Sequence, residues 1–227
     1  MRKIKASQIL VFIALLSLAW VLGIGTTWIL FGRLPSGDFR GLVLLASAVL
    51  SSYLYALLIY RIFMAWSPLA AGEIAAGSRQ EFIYHVYLLF YLLLFYPVMR
   101  SGFVPVPLMR LLYQVLGARL GANTYSSGII LDPRFVEIGS NCIVGQFALI
   151  VPHVIEGSRL AHYPVRIGNN VTIGAHAVVL SDVTIGDDAI VATGAVVKKG
   201  TRIGAGEVWG GVPASLLDRA DKSSLLA

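Results

Sequence analysis

The side chains best able to do chemistry crowd into one short stretch. His153, Glu156, Arg159, His162 and Tyr163 fall between Pro152 and Pro164, in a region otherwise built of small and apolar residues. An imidazole titrates near neutrality, so it can take a proton and return it at physiological pH. His153 stands first in the stretch and is the candidate base; a solvent-facing loop histidine is the plain alternative. Glu156, three residues on, is expected to orient the ring by bonding its other nitrogen, or else to be a solvated acid. Arg159 is a candidate for an anionic group or a loop salt bridge, and His162 is a second imidazole in the same loop. Upstream, Asp132 interrupts an apolar row six residues before Ile138, with Ser126 and Ser127 close by.

These groups need a rigid frame, and the flanking sequence supplies one. Ile167, Ile173, Val179, Ile185, Val191, Val197, Ile203 and Trp209 recur at a constant step of six. A second row two residues earlier keeps the same step, from Val165 through Val171, Ala177, Val183 and Ala189 to Ala195. Val136, Ile138, Cys142, Val144, Ala148 and Ile150 repeat the pattern upstream. A period of six fits neither an α-helix nor a hairpin meander. It fits a very short strand and a turn, stacked on its copies in a parallel β-helix. Ser140-Asn141, Asn169-Asn170 and Asp187-Asp188 supply turn residues that tolerate the left-handed conformation. The rhythm slips between Ile150 and Ile167, and the chemically rich stretch lies in that slip. Functional residues collect on loops held by a rigid scaffold. Cys142 lies in the small inward row and reads as a buried hydrophobe.

The segment from about 120 to 217 resembles the hexapeptide-repeat acyltransferases, whose fold is a left-handed β-helix. The resemblance rests on VRIGNNVTIGAHA (165–177), VTIGDDA (183–189), GAVVKK (194–199) and GGVPA (210–214), close to the pattern of maltose, galactoside and Nod-factor acetyltransferases. A narrower resemblance, to the membrane-anchored C-terminal regions of poly-lysine-synthetase-like peptide synthetases, rests on residues 111–121, 153–159 and 209–214. The resemblance implies about five coils of three hexads, a homotrimer with its site between subunits, and an acyl-CoA donor, acetyl-CoA above all. It places His153 at the family's catalytic position and an acceptor-binding acid near Asp132 and Ser127. Pantetheine would run past Ala175, His176, Thr193, Gly194 and Ala195. Lys198 and Lys199 would meet the CoA phosphates as point charges. Trp209, Gly210, Gly211 and Pro213 would shape the adenine end. Carbonic anhydrases of this fold need three convergent histidines. His153, His162 and His176 are not spaced for that, so no metal is expected.

The first half of the chain is of another kind. Of 227 residues 57% are hydrophobic and 13% charged, too few charges to cover a soluble globule of this length. Disorder, a disulfide scaffold and a coiled coil are excluded. Residues 1–118 hold nine Lys/Arg and three Asp/Glu, whereas 119–227 hold nine of each, so the whole excess of +6 sits in the apolar half. That distribution points to membrane orientation and anionic lipid rather than to nucleic acid. Ile9–Phe31 and Leu42–Tyr60 are uncharged runs long enough to span, so 1–66 is expected to be a two-span hairpin. Segment 82–98 is uncharged but rich in Tyr and Phe, with Tyr84, Tyr87 and Tyr91 on one helical stripe. Residues 67–118 are therefore expected to be interfacial or re-entrant; a third span is the alternative.

Together these readings describe a mixed protein: a transmembrane hairpin, a left-handed β-helix over 119–214 and a C-terminal tail over 215–227. The expected activity is CoA-dependent O- or N-acyl transfer to a membrane-associated lipid-linked sugar, glycolipid or peptide. The expected location is a bacterial inner membrane, with 119–227 in the cytoplasm. The rival readings are an acetyltransferase for a soluble small molecule or peptide, and a non-catalytic membrane scaffold with a degenerate β-helix.

Overall fold

Long uncharged runs can satisfy their backbone only within a helix, and the first third of the chain does so. The computed structural model describes residues 2–35 and 37–219. Helix α1 is Ala6–Phe31 and α2 is Arg40–Trp66. They lie antiparallel and close. A Cβ on Gly23 would come within 2.3 Å of the Ser52 side chain, a small-residue contact of the kind that lets membrane helices approach. Thr26 and Tyr55 share a hydrogen bond of 2.9 Å across the same interface.

Within the segment expected to be interfacial or re-entrant, Arg79–Arg100 forms one helix, α3, with a π-helical stretch at Tyr91–Phe95. Ser78 starts it by accepting from the Glu81 N–H, while the Glu81 carboxylate accepts from the Gly77 N–H. The tyrosine stripe does not face an interface. Tyr84, Tyr87 and Tyr91 are buried, and Tyr60 of α2 packs against Tyr87, Phe90 and Phe95. By length and composition α1, the Gly37–Trp66 helical stretch and α3 could each cross a membrane.

The second unit comprises Ala70–Ala75 and everything from Pro97 onward. Helix α4, Val106–Val115, leads into a three-sided parallel β-helix. The first side stacks Arg119–Leu120, Val136–Ile138, Val165–Ile167, Thr184–Ile185 and Arg202–Ile203. The second stacks Tyr125–Ser126, Ile143–Val144, Thr172–Ile173, Ile190–Val191 and Glu207–Gly211 in parallel, then adds Ala214–Arg219 antiparallel. The third stacks Ile129–Ile130, Leu149–Ile150, Val178–Val179 and Val196–Val197.

The two six-step rows are the interior. Val165, Val171, Ala177, Val183, Ala189 and Ala195 are fully buried or nearly so, as are Ile173, Val179, Ile185, Val191 and Val197. Asn141, Asn170 and Asp188 adopt positive φ at the turns, as their side-chain chemistry permits. Their side chains join in a ladder down one corner, Asn141 to Asn170 at 3.3 Å and Asn170 to Asp188 at 3.2 Å. Cys142 is buried, and burial pushes its thiol pKa up. One boundary differs from expectation. Residues 215–219 are not tail but belong to the closing strand, and 220–227 lie outside the described residues. Trp209 keeps the register of Val191 but is not fully buried, because the stack ends there.

Candidate active site

The slip in the six-residue rhythm is a β-hairpin. Leaving the third side at Ile150, the chain forms β2, His153–Glu156, and β3, Arg159–His162, then re-enters the first side at Val165. His153 and His162 are directly opposite in this antiparallel pair. A third strand completes the small sheet. This is β1, Gly72–Glu73, from the connection between α2 and α3; it pairs along the other edge of β3, with Gly72 opposite His162. The Ile74 N–H continues the pairing to the Leu160 carbonyl at 2.9 Å, and the Ile74 side chain is buried.

Asp132 reaches this hairpin through the ladder. Ile129 and Ile130 pair with Leu149 and Ile150, so Asp132 and Pro152 begin the same corner in successive coils. Asp132 sits there in the left-handed region at φ 43°, ahead of a short 3-10 turn, Pro133–Phe135. It is a corner residue rather than an interruption of the inward row. Its Oδ2 lies 2.5 Å from Nδ1 of His153, and its Oδ1 lies 3.9 Å from Nε2 of His162. His162 is wholly buried and stacks on Phe135 with ring centroids 4.5 Å apart.

An ionised carboxylate can only accept, so Nδ1 of His153 carries the proton and Nε2 is left as the basic nitrogen. The imidazole keeps 27% of its side-chain surface, enough to be reached from outside. Burial opposes protonation of His153, but the hydrogen bond and the charge of Asp132 outweigh it and raise the pKa above the ordinary imidazole value. His162 moves the other way. Burial lowers its pKa, Asp132 opposes the fall and His153 adds to it. One carboxylate thus serves an accessible imidazole that gains protons readily and a buried one that resists them.

The other expected site residues divide between places. Glu156, expected to orient the imidazole, is at the far end of β2 and pairs with Lys199; the carboxylate on His153 belongs to Asp132 instead. The Lys199 hydrogen bond and charge hold the Glu156 carboxyl below its usual range. Lys199 therefore enters the site already paired rather than as an isolated cation. Arg159 donates to Glu73 at 2.7 Å and to the Tyr163 hydroxyl at 3.2 Å. A cleft of about 260 Å3 lies beside the hairpin, lined by Val154, Arg159, Tyr163, Ser181, Asp182 and Lys199 with Gly200.

Ala175, His176, Thr193 and Gly194 occupy turns between the second and third sides, with His176 stacked on Phe147 of the neighbouring coil at 5.1 Å. Ala195 lies in the inward row with its side chain wholly buried, so it can offer a ligand only backbone. Lys198 and Lys199 stand at the opposite border of the third side. Gly211 and Pro213 are exposed at the closing hairpin, and the Trp209 indole donates to Glu207 at 2.9 Å. Ser127 is exposed, whereas the Ser126 hydroxyl is buried and donates to the Gly128 carbonyl. Among the described residues no group of three or more His, Cys, Asp or Glu could hold a metal ion.

Residues 164–199 match the family model described as bacterial transferase hexapeptide (six repeats). That stretch makes up the coils directly after the hairpin. Galactoside O-acetyltransferase of Escherichia coli is 33% identical over 89 residues, covering 35% of this chain and 44% of that protein. Gamma carbonic anhydrase 2, mitochondrial, of Arabidopsis thaliana is 40% identical over 108 residues, covering 38% of this chain and 37% of that one. Among solved structures, a maltose O-acetyltransferase from Clostridium difficile aligns with a TM-score of 0.43 at 26% identity, over 48% of this chain and 62% of that one. The chain thus spans less than half the length of these two curated relatives. The matched hexapeptide-repeat segment starts directly after the hairpin, so it supplies the frame, while the catalytic candidates His153 and Asp132 lie upstream of it.

Proposed function

We propose that this protein is a membrane-anchored acetyltransferase that moves the acetyl group of acetyl-CoA to a hydroxyl or amine of a membrane-associated acceptor. One observation carries the reading: a partly exposed imidazole whose Nδ1 is held by a buried carboxylate at 2.5 Å, leaving Nε2 as an accessible base. Nε2 of His153 takes the acceptor proton while the acceptor oxygen or nitrogen bonds to the thioester carbonyl carbon. The tetrahedral oxyanion collapses, the C–S bond breaks and the imidazolium returns its proton to the departing CoA thiolate. Asp132 is a positioning residue that fixes the tautomer and stabilises the imidazolium. The third side of the β-helix offers a track for pantetheine, an outward row of Ile129, Leu149, Val178 and Val196 between two turn borders. The relatives' pattern implies a homotrimer with the donor held between subunits.

Double replacement of Lys198 and Lys199 by alanine is expected to raise KM for acetyl-CoA about tenfold, the value of one charge-assisted hydrogen bond, with kcat nearly unchanged. Steady-state kinetics checks this, and an unchanged KM would return both lysines to solvent.

Chain connectivity supports an acceptor resident in the membrane. Only residues 67–71 separate the end of α2 from Gly72, which pairs with the hairpin that carries His153. Six residues reach at most about 20 Å and two strand spacings add about 10 Å. The base therefore lies within about 30 Å of the end of an apolar helix, a range open to a lipid-linked sugar or a glycolipid headgroup.

The same connectivity favours two crossings. The chain pairs with the β-helix before α3, at Gly72–Glu73, and returns to it after α3, at Arg119. A complete crossing by α3 would divide those two points between opposite faces of a bilayer, with only residues 101–118 to make the return. Arg2 also bonds Glu81 in the first turn of α3, which groups the basic N-terminus with the start of that helix. Acyl-CoA is made in the cytoplasm and does not cross bilayers unaided, so the β-helix belongs on that side of a bacterial inner membrane. A cysteine at exposed Asp187, in a Cys142→Ala background, is expected to react with an impermeant thiol reagent only after permeabilisation. Labelling in intact cells would overturn the cytoplasmic assignment.

The activity itself is tested by incubating the purified protein with radiolabelled acetyl-CoA and membrane extract. Label in a lipid-extractable product is expected. Failure of the protein to bind CoA would favour a non-catalytic scaffold.

A further inference from the structure

Helix α4 has two apolar faces, and the β-helix uses only one of them. On the inner face Met109, Tyr113 and Leu116 are buried. The Tyr113 hydroxyl donates to the Gly128 carbonyl at 3.1 Å and accepts from the Ile130 N–H at 3.2 Å. Gln114 and Arg110 donate to the carbonyls of Leu120 and Gly121. These contacts pin α4 over the first coil and fix its rotation. The outer face is thereby committed to the surroundings, and it too is apolar. Leu108 is 52% exposed and Leu111 55%, while Phe103, just ahead of the helix, is 91% exposed.

Two features identify what covers this face. Residues 82–131 contain not one Asp or Glu; Arg110 turns inward and Arg119 pairs with Glu137, so the segment adds no negative charge of its own to repel an anionic surface. It is also continuous with the membrane part of the chain. Helix α3 ends at Arg100 and α4 begins at Val106, so only residues 101–105 join the outer face to the apolar helices. Ten residues of α4 are too few to span but suit a helix lying in the interface plane, apolar face down.

We propose that Phe103 and the outer face of α4 dock on the headgroup–acyl boundary of an anionic bilayer leaflet and hold the first coil of the β-helix against it. The inference rests on the membrane reading given above and deepens it. It makes α4 a second membrane attachment, independent of the helical hairpin, and leaves the later coils free of lipid.

The test uses the full chain in a Cys142→Ala background, reconstituted in vesicles of phosphatidylcholine and phosphatidylglycerol. Single cysteines at Leu111, Ile29 and Asp187 are labelled in turn with the environment-sensitive fluorophore NBD, and nitroxide-bearing lipids are added as quenchers. Ile29, 80% exposed on α1, reports on insertion itself, and Asp187 reports on solvent. Leu111 emission is expected to fall about twofold with a nitroxide placed near the headgroup, and further as the phosphatidylglycerol fraction rises, while Asp187 does not respond. Quenching at Ile29 without quenching at Leu111 would overturn the docking and leave the membrane reading standing. No quenching at either would overturn both. A blue shift at Leu111 without quenching would mean that protein, such as a second copy of this chain, covers the face. Quenching at Leu111 that ignores phosphatidylglycerol would overturn the anionic partner.

Discussion

Replacing His153 with alanine is expected to lower kcat by about 10²–10⁴, the usual share of a general base, with CoA affinity nearly unchanged. The expectation follows from the ring's two nitrogens having separate tasks. Nδ1 is occupied by Asp132, so only Nε2 can accept the acceptor proton. No other described histidine can take its place. His162 is wholly buried, His176 is in a turn between the second and third sides, and His85 is buried in the helical unit. Steady-state turnover of labelled acetyl-CoA, with CoA binding measured alongside, separates loss of chemistry from loss of binding. Wild-type turnover in the alanine variant would remove His153 from the mechanism.

Replacing Asp132 with asparagine is expected to cost nearly as much, about 10²–10³ in kcat. The side chain keeps its size and its corner position, so the fold survives. Its amide can donate to Nδ1, however, which moves the ring proton to Nε2 and removes the base. The imidazolium that forms in the transition state also loses its counter-charge. Glu156→Gln is the matched comparison. That carboxylate pairs with Lys199 rather than with the imidazole, so its loss is expected to change kcat less than about threefold, as for an exposed ion pair. Equal losses in the two variants would mean that the site rearranges around Glu156 during turnover.

A stability consequence follows with a definite sign. The folded-state pKa of His153 is raised, so its pairing with Asp132 adds stability that is fully present below the unfolded value, about 6.5. That contribution is lost as pH rises through the folded-state value. The Asp132→Asn variant should therefore lose most against wild type in mildly acidic solution, which thermal melts across that range would read.

The frame was legible in the sequence because six-residue spacing has only one compact solution for rows of Ile, Val and Ala. The gathering of ionisable side chains was legible for the same reason: a rhythm that regular makes its own interruption visible, and the interruption is the β2–β3 hairpin. Assigning the positioning carboxylate was harder. Proximity in sequence favoured Glu156, three residues from His153. In an extended strand, three residues carry a side chain about 10 Å away and onto the other face of the strand. Stacking of coils instead brings Asp132, far upstream in sequence, to hydrogen-bonding distance. Ile129 and Ile130 pair with Leu149 and Ile150 at an offset that departs from the regular repeat, because the corner at Gly128 is tight. There a Cβ would come within 2.4 Å of the Ala148 carbonyl oxygen. The Glu73–Arg159 contact had no sequence signal at all, since strand pairing joins a linker between apolar helices to a hairpin far downstream. The tyrosine stripe of α3 did not by itself fix what it packs against, for a physical reason. Aromatic rings suit a membrane interface and a helix–helix contact equally, and only the packing of Tyr87 and Phe95 on Tyr60 distinguishes them.

The central claim is that a carboxylate one coil away, Asp132, sets the proton affinity of the base. The pH dependence of kcat/KM tests it most directly, because that profile reports ionisations of the free enzyme. Wild-type protein should show an acid limb above the ordinary imidazole value of about 6.5. In Asp132→Asn the raising influences disappear and burial alone acts, so the limb should move below that value. In Glu156→Gln it should stay where the wild type has it. A limb that Asp132→Asn leaves in place, or that Glu156→Gln moves as far, would contradict the account.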